Sequence, residues 1–376
     1  MNAQVNAVAN TPDAHRPLAK VELDDDLPIN AYANADSTFM QLLESPDLDE
    51  QARAWSAPVH AFEQALCRAL GVAYDEFRPG REAAHLFLQR VLYRIYRLNL
   101  FWYDDLASYT NERSVYLFEV RARIEAAWQP WERAQVRALE RDADIAQVLV
   151  TRAAADLDPP FSADDYYFRD QMTVEGYRHL LAIASLDGLV EASQLSRILG
   201  GAANPIHARL TRLLLEEYGF GHLERKHSSY FTTMLQAANM SIEPGHYLAL
   251  VPWEVLALTN QSFLFSEQRR YFLRYIGGLL YFETAVPAAF RHYQAAAKRL
   301  GFAEDGRAYW NLHIHADERH GRWMLHDVAL PLVEQYSQDA WQMVWGYDQQ
   351  RNMSARAGKA VVRAVREAQQ SLGGAR

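Results

Sequence analysis

The residues best placed to do chemistry are His313, Asp317 and His320, in the stretch His313-Ile-His-Ala-Asp317-Glu-Arg-His320. Each α-helical residue advances about 100°, so positions i, i+4 and i+7 fall within about 60° of one another. Two imidazoles and one carboxylate on such a stripe can reach a single point a side-chain length away. Neutral imidazole nitrogen and ionised carboxylate oxygen are lone-pair donors, and their convergence is what a metal ion asks for. His315, about 200° round from His313, points elsewhere. Ile314, Trp323 and Met324 supply apolar faces, whereas Glu318, Arg319 and Arg322 read as a solvent edge. The plain alternative is a polar helix face that happens to be rich in histidine, so the case depends on further ligands.

A metal site in a helical bundle draws those ligands from facing helices, and three places upstream offer them. The first is Glu217-Tyr-Gly-Phe-Gly-His-Leu-Glu-Arg-Lys-His227. Glu217 and His227 are out of phase on a straight helix, but Gly219 and Gly221 permit a local break that re-aims one against the other. The second is Glu283, a lone carboxylate in the apolar run Leu280-Tyr-Phe-Glu-Thr-Ala-Val286. Burying an unpaired carboxylate is expensive, so it should have a partner, and a metal is one. The third is Glu191 in Leu189-Val-Glu-Ala. Its local context is the weakest, since an exposed helical glutamate would look the same.

The elements that must position these residues read as helices throughout. From Ser37 the apolar spacing is helical: Val59 to Leu70, ended by Gly71, then Arg81 to about Tyr103 with Leu86, Leu88, Val91, Leu92, Ile95 and Leu98 in phase. Asn111 to Trp128 and Trp131 to Ala155 follow, separated by Pro130. Asp156-Leu-Asp-Pro-Pro160 is the strongest boundary signal, because paired prolines stop a helix and extend the chain. Beyond it come Thr173 to Leu199, Pro205 to Tyr218, about Gly221 to Met240, Pro244 to Leu258, and Gln261 to Leu300 with a kink at Pro287. The stripe helix (about 305 to 325), Ala329 to Arg351 and a frayed tail from Ser354 complete the chain. No stretch alternates as a strand would. The expected class is all-α: a tail over 1–33, a helical accessory domain over 34–158 and a metal-bearing helical domain over 159–376.

Composition sets the limits. The chain has 376 residues, 49% of them hydrophobic and 12% aromatic, enough for a sizeable core. A net charge of −9 argues against nucleic acid, whose binders need a basic face. No apolar run approaches the roughly 20 residues of a membrane span. The start, Met1 to Pro17, lacks the basic and apolar regions of a signal peptide, and a cytoplasmic protein is expected. The single cysteine, Cys67, excludes an intramolecular disulfide framework and a thiolate metal site.

The glutamate followed by Tyr-Gly-Phe-Gly and a histidine, with H-x3-D-x2-H much later, resembles the haem-oxygenase-like diiron oxygenases, the iron-containing redox enzymes. The resemblance covers about residues 165 to 350. It implies a haem-oxygenase-like bundle with Glu191 on the first core helix, Glu217 and His227 on the second, and His313, Asp317 and His320 on the third. Glu283 matches an extra carboxylate on an intervening helix. It further implies two iron ions and O2 as co-substrate. His227 and His313 would serve one iron and Asp317 and His320 the other, with Glu191 or Glu217 bridging. The spacings are similar to those of the N-oxygenating branch, where a peroxo-diiron species attacks nitrogen. That branch includes a nitrosating member with a helical accessory domain for dimer formation and a C-terminal cupin. The present sequence stops after the helical domain, so the cupin's rearrangement step is not expected.

The implied function is N-oxygenation of a small amine or amino-acid derivative in secondary metabolism, by a homodimer served by an unidentified electron donor. Desaturation or oxidative C–C cleavage is the alternative within the family. A haem-dependent oxygenase would need only one proximal histidine, and a thiaminase-type hydrolase would need a cysteine nucleophile, whereas Cys67 lies outside the catalytic domain. A non-catalytic helical interaction protein would bind no iron. Arg291, His292 and Arg322 are candidates to meet a substrate carboxylate, though surface and ion-pair roles suit them better.

Overall fold

A computed structural model of the protein describes residues 31–100, 105–139, 143–201 and 204–373. Trp102, Tyr103, the side chain of Glu318 and all but the last three residues of the expected tail lie outside the described residues. Among those described, every regular element is helical. The first six helices are α1 (Ala31–Glu44), α2 (Leu48–Arg53), α3 (Ala57–Ala73), α4 (Arg81–Leu100), α5 (Val115–Ala134) and α6 (Ile145–Leu157). After the proline pair come α7 (Ala163–Tyr166), α8 (Val174–Gly188), α9 (Ser193–Ile198), α10 (Pro205–Glu217) and α11 (His227–Ala237). The chain closes with α12 (Trp253–Glu267), α13 (Phe272–Arg299), α14 (Ala308–Trp323), α15 (Leu330–Gln335) and α16 (Trp341–Gly373).

Several boundaries differ from the sequence reading, for local reasons. Gly71 lies inside α3, which runs on to Ala73 because Ala69 and Ala73 are buried in the core. Pro130 is likewise internal to α5. The hydrogen bond it removes is offset by the flanking tryptophans: Trp128 is fully buried and its indole donates to Glu132 at 3.0 Å. The expected helix over Thr173 to Leu199 is two helices, broken where Ala192 turns left-handed at φ 63°. The break carries Glu191. The expected helix from Gln261 to Leu300 is interrupted between α12 and α13, while Pro287 sits inside α13. The tail from Ser354 is the second half of the 33-residue α16, held by buried Ala357, Val362 and Val365.

α13 lies at the centre and packs most extensively on α16 and α14. Glycine makes these approaches possible. A Cβ on Gly277 would stand 1.9 Å from the Met343 carbonyl oxygen of α16, and one on Gly321 of α14 would stand 2.8 Å from the Glu283 carbonyl oxygen of α13. The helices before the proline pair are not set apart from those after it: α4 packs along α12. Asn260 of α12 donates to the Gln89 carbonyl at 2.8 Å and to its side-chain oxygen at 2.9 Å, all buried. On the same interface the buried His85 ring stacks on Trp253 at 4.1 Å, with Tyr74 and Trp131 against its other sides. One hydrophobic core runs from Ala35 in α1 to Met353 in α16.

Candidate metal centre

The seven residues singled out above come together between α8, α10, α11, α13 and α14. α14 delivers three of them from one stripe, as its spacing dictates: His313, Asp317 and His320 are all at most 4% exposed. α10 ends at Glu217. The chain then takes three successive left-handed residues, Gly219 (φ 60°), Phe220 (φ 54°) and Gly221 (φ 84°), before α11 starts at His227. A Cβ on Gly219 would stand 2.5 Å from the Arg225 carbonyl carbon, so the excursion is closed tightly on itself. Its effect is to bring His227 Nδ1 to 2.8 Å from Glu217 Oε2.

Around that pair the other donors fall into two sets. Glu191, Glu217, His227 and His313 each place one donor atom within 4.8 Å of all the others, and so do Glu217, Glu283 and His320. Glu217 belongs to both. In the first set His313 Nε2 lies 2.8 Å from Glu191 Oε1 and 3.1 Å from His227 Nδ1. In the second, His320 Nδ1 lies 3.4 Å from both Glu217 Oε1 and Glu283 Oε2. Asp317 stands further off, with Oδ1 at 3.7 Å from His320 Nδ1, and belongs to neither tight set.

The atoms that point inward are short of partners. Glu191 Oε2, Asp317 Oδ1 and His320 Nδ1 are buried and make no hydrogen bond. Groups left so are costly unless something else satisfies them. Four carboxylates surrounding three neutral imidazoles would be balanced in charge by two divalent cations, and nitrogen plus oxygen donors suit iron. The residues present therefore fit a pair of metal ions. Burial disfavours cationic His320, yet Glu283, Glu217 and Glu216 outweigh it and hold the imidazole up to about 9. His313 is likewise held well above its ordinary value against burial, by Glu191 first and Asp317 next. Burial, with Glu283 and Glu217 nearby, pushes the Asp317 carboxyl well up.

Two outer partners, absent from the sequence reading, fix which nitrogen faces in. His313 Nδ1 lies 2.9 Å from the Tyr309 carbonyl, which can only accept, so that nitrogen carries the proton and Nε2 is free to bind. His320 Nε2 meets Glu216 Oε2 at 3.1 Å, which turns Nδ1 inward. Glu216 is itself held by Arg319 at 2.6 Å. The Tyr309 hydroxyl donates to Glu191 Oε1 at 2.8 Å. The sequence signal for Tyr309 was its i−4 position to His313; Glu216 was masked by standing beside the more conspicuous Glu217. Arg291 donates to the Leu157 carbonyl and His292 lies 3.7 Å from Asp165, so both are engaged elsewhere.

A helical bundle with this donor set fits a metal site of the carboxylate–histidine kind. Residues 178–350 match the model of the iron-containing redox enzyme family. The chain is also similar to nitrosourea synthase of Streptomyces achromogenes subsp. streptozoticus, with 27% identity over 286 residues. That match takes in 69% of the present chain and 59% of the relative, so the chain spans less than two thirds of the length of the curated relative it matches. No helix among the described residues is long and apolar enough to cross a membrane.

Proposed function

We propose that this protein is a non-haem diiron oxygenase that uses O2 to N-oxygenate a small amine or amino-acid-derived substrate. The observation that carries the two-metal reading is the sharing of Glu217 between two donor sets. The similarity to a nitrosourea synthase supports chemistry at nitrogen. Glu191, His227 and His313 would hold one ion, His320 and Glu283 the other, with Glu217 between them and Asp317 at the edge of the second. Iron held there would supply the electrons and the oxygen-binding positions that an oxygenase needs. The protein's own part is positional. Tyr309 and Glu216 lock the imidazoles of His313 and His320, Tyr309 restrains Glu191, and burial of the centre keeps bulk water away.

The test is an anaerobic Fe(II) titration followed by oxygen uptake with a panel of amines. Two irons per chain are expected in the wild type, near one in Glu283→Gln, and a loss at both positions in Glu217→Gln. Amine-stimulated oxygen uptake should accompany two-iron loading, with one oxygen atom added at nitrogen in the product. One iron per chain, unaffected by Glu217→Gln, would sink the diiron reading. A product oxidised at carbon would replace N-oxygenation by desaturation or C–C cleavage.

A further inference from the structure

The chain carries a net charge of −9, yet the surface where α10 meets the end of α14 is rich in arginine. Arg209, Arg212 and Glu216 stand at i, i+3 and i+7 on α10 and so share one stripe. Arg319, Arg322 and Trp323 share another at i, i+3 and i+4 on α14. Contacts across the seam join the two stripes. Arg209 donates to the Asp327 carbonyl, just beyond α14, at 2.5 Å. The Arg212 guanidinium lies 3.7 Å from the centroid of the Trp323 ring, and that of Arg319 lies 5.2 Å from it. The side chains of Arg212 and Arg319 are 61% and 47% exposed, and Arg209 and Arg322 are exposed as well. Glu216, by contrast, is turned towards His320 and only 13% exposed. Even with Glu318 and Asp327 counted beside it, four arginines face three carboxylates.

This basic patch is one ring away from the metal centre. Trp323 is half-buried, and its ring lies 5.7 Å from that of the fully buried His320. The two exposed guanidiniums cover the same indole. A second link runs from His320 Nε2 through Glu216 to Arg319, at 3.1 Å and 2.6 Å. Adding one atom of O2 to a substrate and reducing the other to water consumes two electrons and two protons from outside. The donor side chains of the centre are buried, so a protein that supplies those electrons cannot touch them and must deliver across the surface. An indole in contact with both a buried donor histidine and a cationic surface is suited to that delivery.

We propose that this patch docks a small acidic iron–sulfur protein, which passes electrons to the metal centre through the Trp323–His320 contact. The proposal rests on the oxygenase reading and deepens it by giving the class of electron donor and the place where it binds. In each docking the iron–sulfur cluster is oxidised by one electron and the iron is reduced by one. Two dockings supply the electrons of a turnover, and solvent supplies the two protons. The arginines attract and orient the acidic partner. Trp323 is a positioning residue that shortens the path.

The test measures binding first, on the full chain loaded with redox-silent Zn(II), with a plant-type [2Fe–2S] ferredoxin as the acidic probe. Calorimetry should show a one-to-one complex that weakens about tenfold or more as salt rises from about 50 mM to about 200 mM. An Arg212→Glu, Arg322→Glu double variant should weaken the complex by about tenfold or more, with zinc content and melting temperature unchanged. Absence of binding, binding insensitive to salt or to the double variant, or tighter binding of a DNA duplex overturns the proposal. Electron transfer is then read by stopped-flow, as the oxidation of reduced ferredoxin by Fe(III)-loaded protein. Trp323→Leu should slow it at unchanged ferredoxin affinity, and Trp323→Phe should restore most of the rate. An unchanged rate in Trp323→Leu overturns the route. Should that variant not fold, the binding measurements still decide the docking surface. Ferredoxin binding that follows the arginines in a chain that takes up no iron would count against the oxygenase reading and not against the surface.

Discussion

At the scale of single residues, the centre depends on side chains that touch no metal position as well as on those that do. Glu216 is the clearest case. Its carboxylate meets His320 Nε2 and Arg319, so it both orients the ring and is held while doing so. Removing such an outer partner lowers metal affinity by roughly tenfold to a hundredfold in comparable sites. Glu216→Ala is therefore expected to weaken one of the two Fe(II) affinities by that factor, and Glu216→Gln, which keeps an acceptor, to restore most of it. Equal affinities in Glu216→Ala and wild type would show that His320 is fixed by packing alone. The stripe His313, Asp317 and His320 was legible in the sequence because helical spacing alone puts three donors on one face. Glu191 was much harder to see, because it lies on a left-handed break that turns it inward.

At the scale of elements, contacts between helices set both the stability of the fold and the geometry of the centre. His85, at the meeting of α4 and α12, is held down to about 3 by burial, with Arg81 and Arg356 adding to the effect. Its ordinary value is 6.5, so below that pH the unfolded chain takes up a proton that the folded chain refuses. Stability from this residue is thus full above about 6.5 and is lost as pH falls towards 3. Urea midpoints measured across that range should fall more steeply for wild type than for His85→Phe; parallel slopes would show that the ring is not protected from protonation. The α13–α14 approach is governed by Gly321, which sits next to His320 and against the Glu283 backbone. Gly321→Ala is expected to force the two helices apart, costing about 1–3 kcal/mol and lowering iron to near one per chain. Gly358→Ala, in open space, serves as the control and should change neither. The long helices were readable from apolar period. Breaks were not, since Pro130 and Gly71 look like stops and yet lie inside helices that buried neighbours carry through.

At the scale of the whole molecule, the helices over 34–158 form one core with those that follow. The sequence marks a boundary at the proline pair because composition and turn residues are local, whereas the α4–α12 packing that bridges it is not. We propose that this region also forms the homodimer interface. Exposed Val115 and Phe118 line a groove of about 260 Å³ together with Ile95, Leu98 and Leu117. Light scattering should give a dimer for wild type and a monomer for a Val115→Asp, Phe118→Glu double variant, with the iron content unchanged. A monomeric wild type, or a dimer in the double variant, would remove the proposal.

The left-handed excursion between α10 and α11 has a consequence for how the centre comes into being. Glu217 and His227 are brought together by a short loop that packs on itself, which costs little chain entropy. His227 and His313, by contrast, are 86 residues apart, and their meeting waits for the bundle to close. In folding terms the centre has an early half and a late half. The Glu217–His227 corner can form while α13 and α14 are still finding their places. The corner is held by contacts local in the sequence, whereas the donors carried by α14 depend on contacts that exist only in the closed bundle.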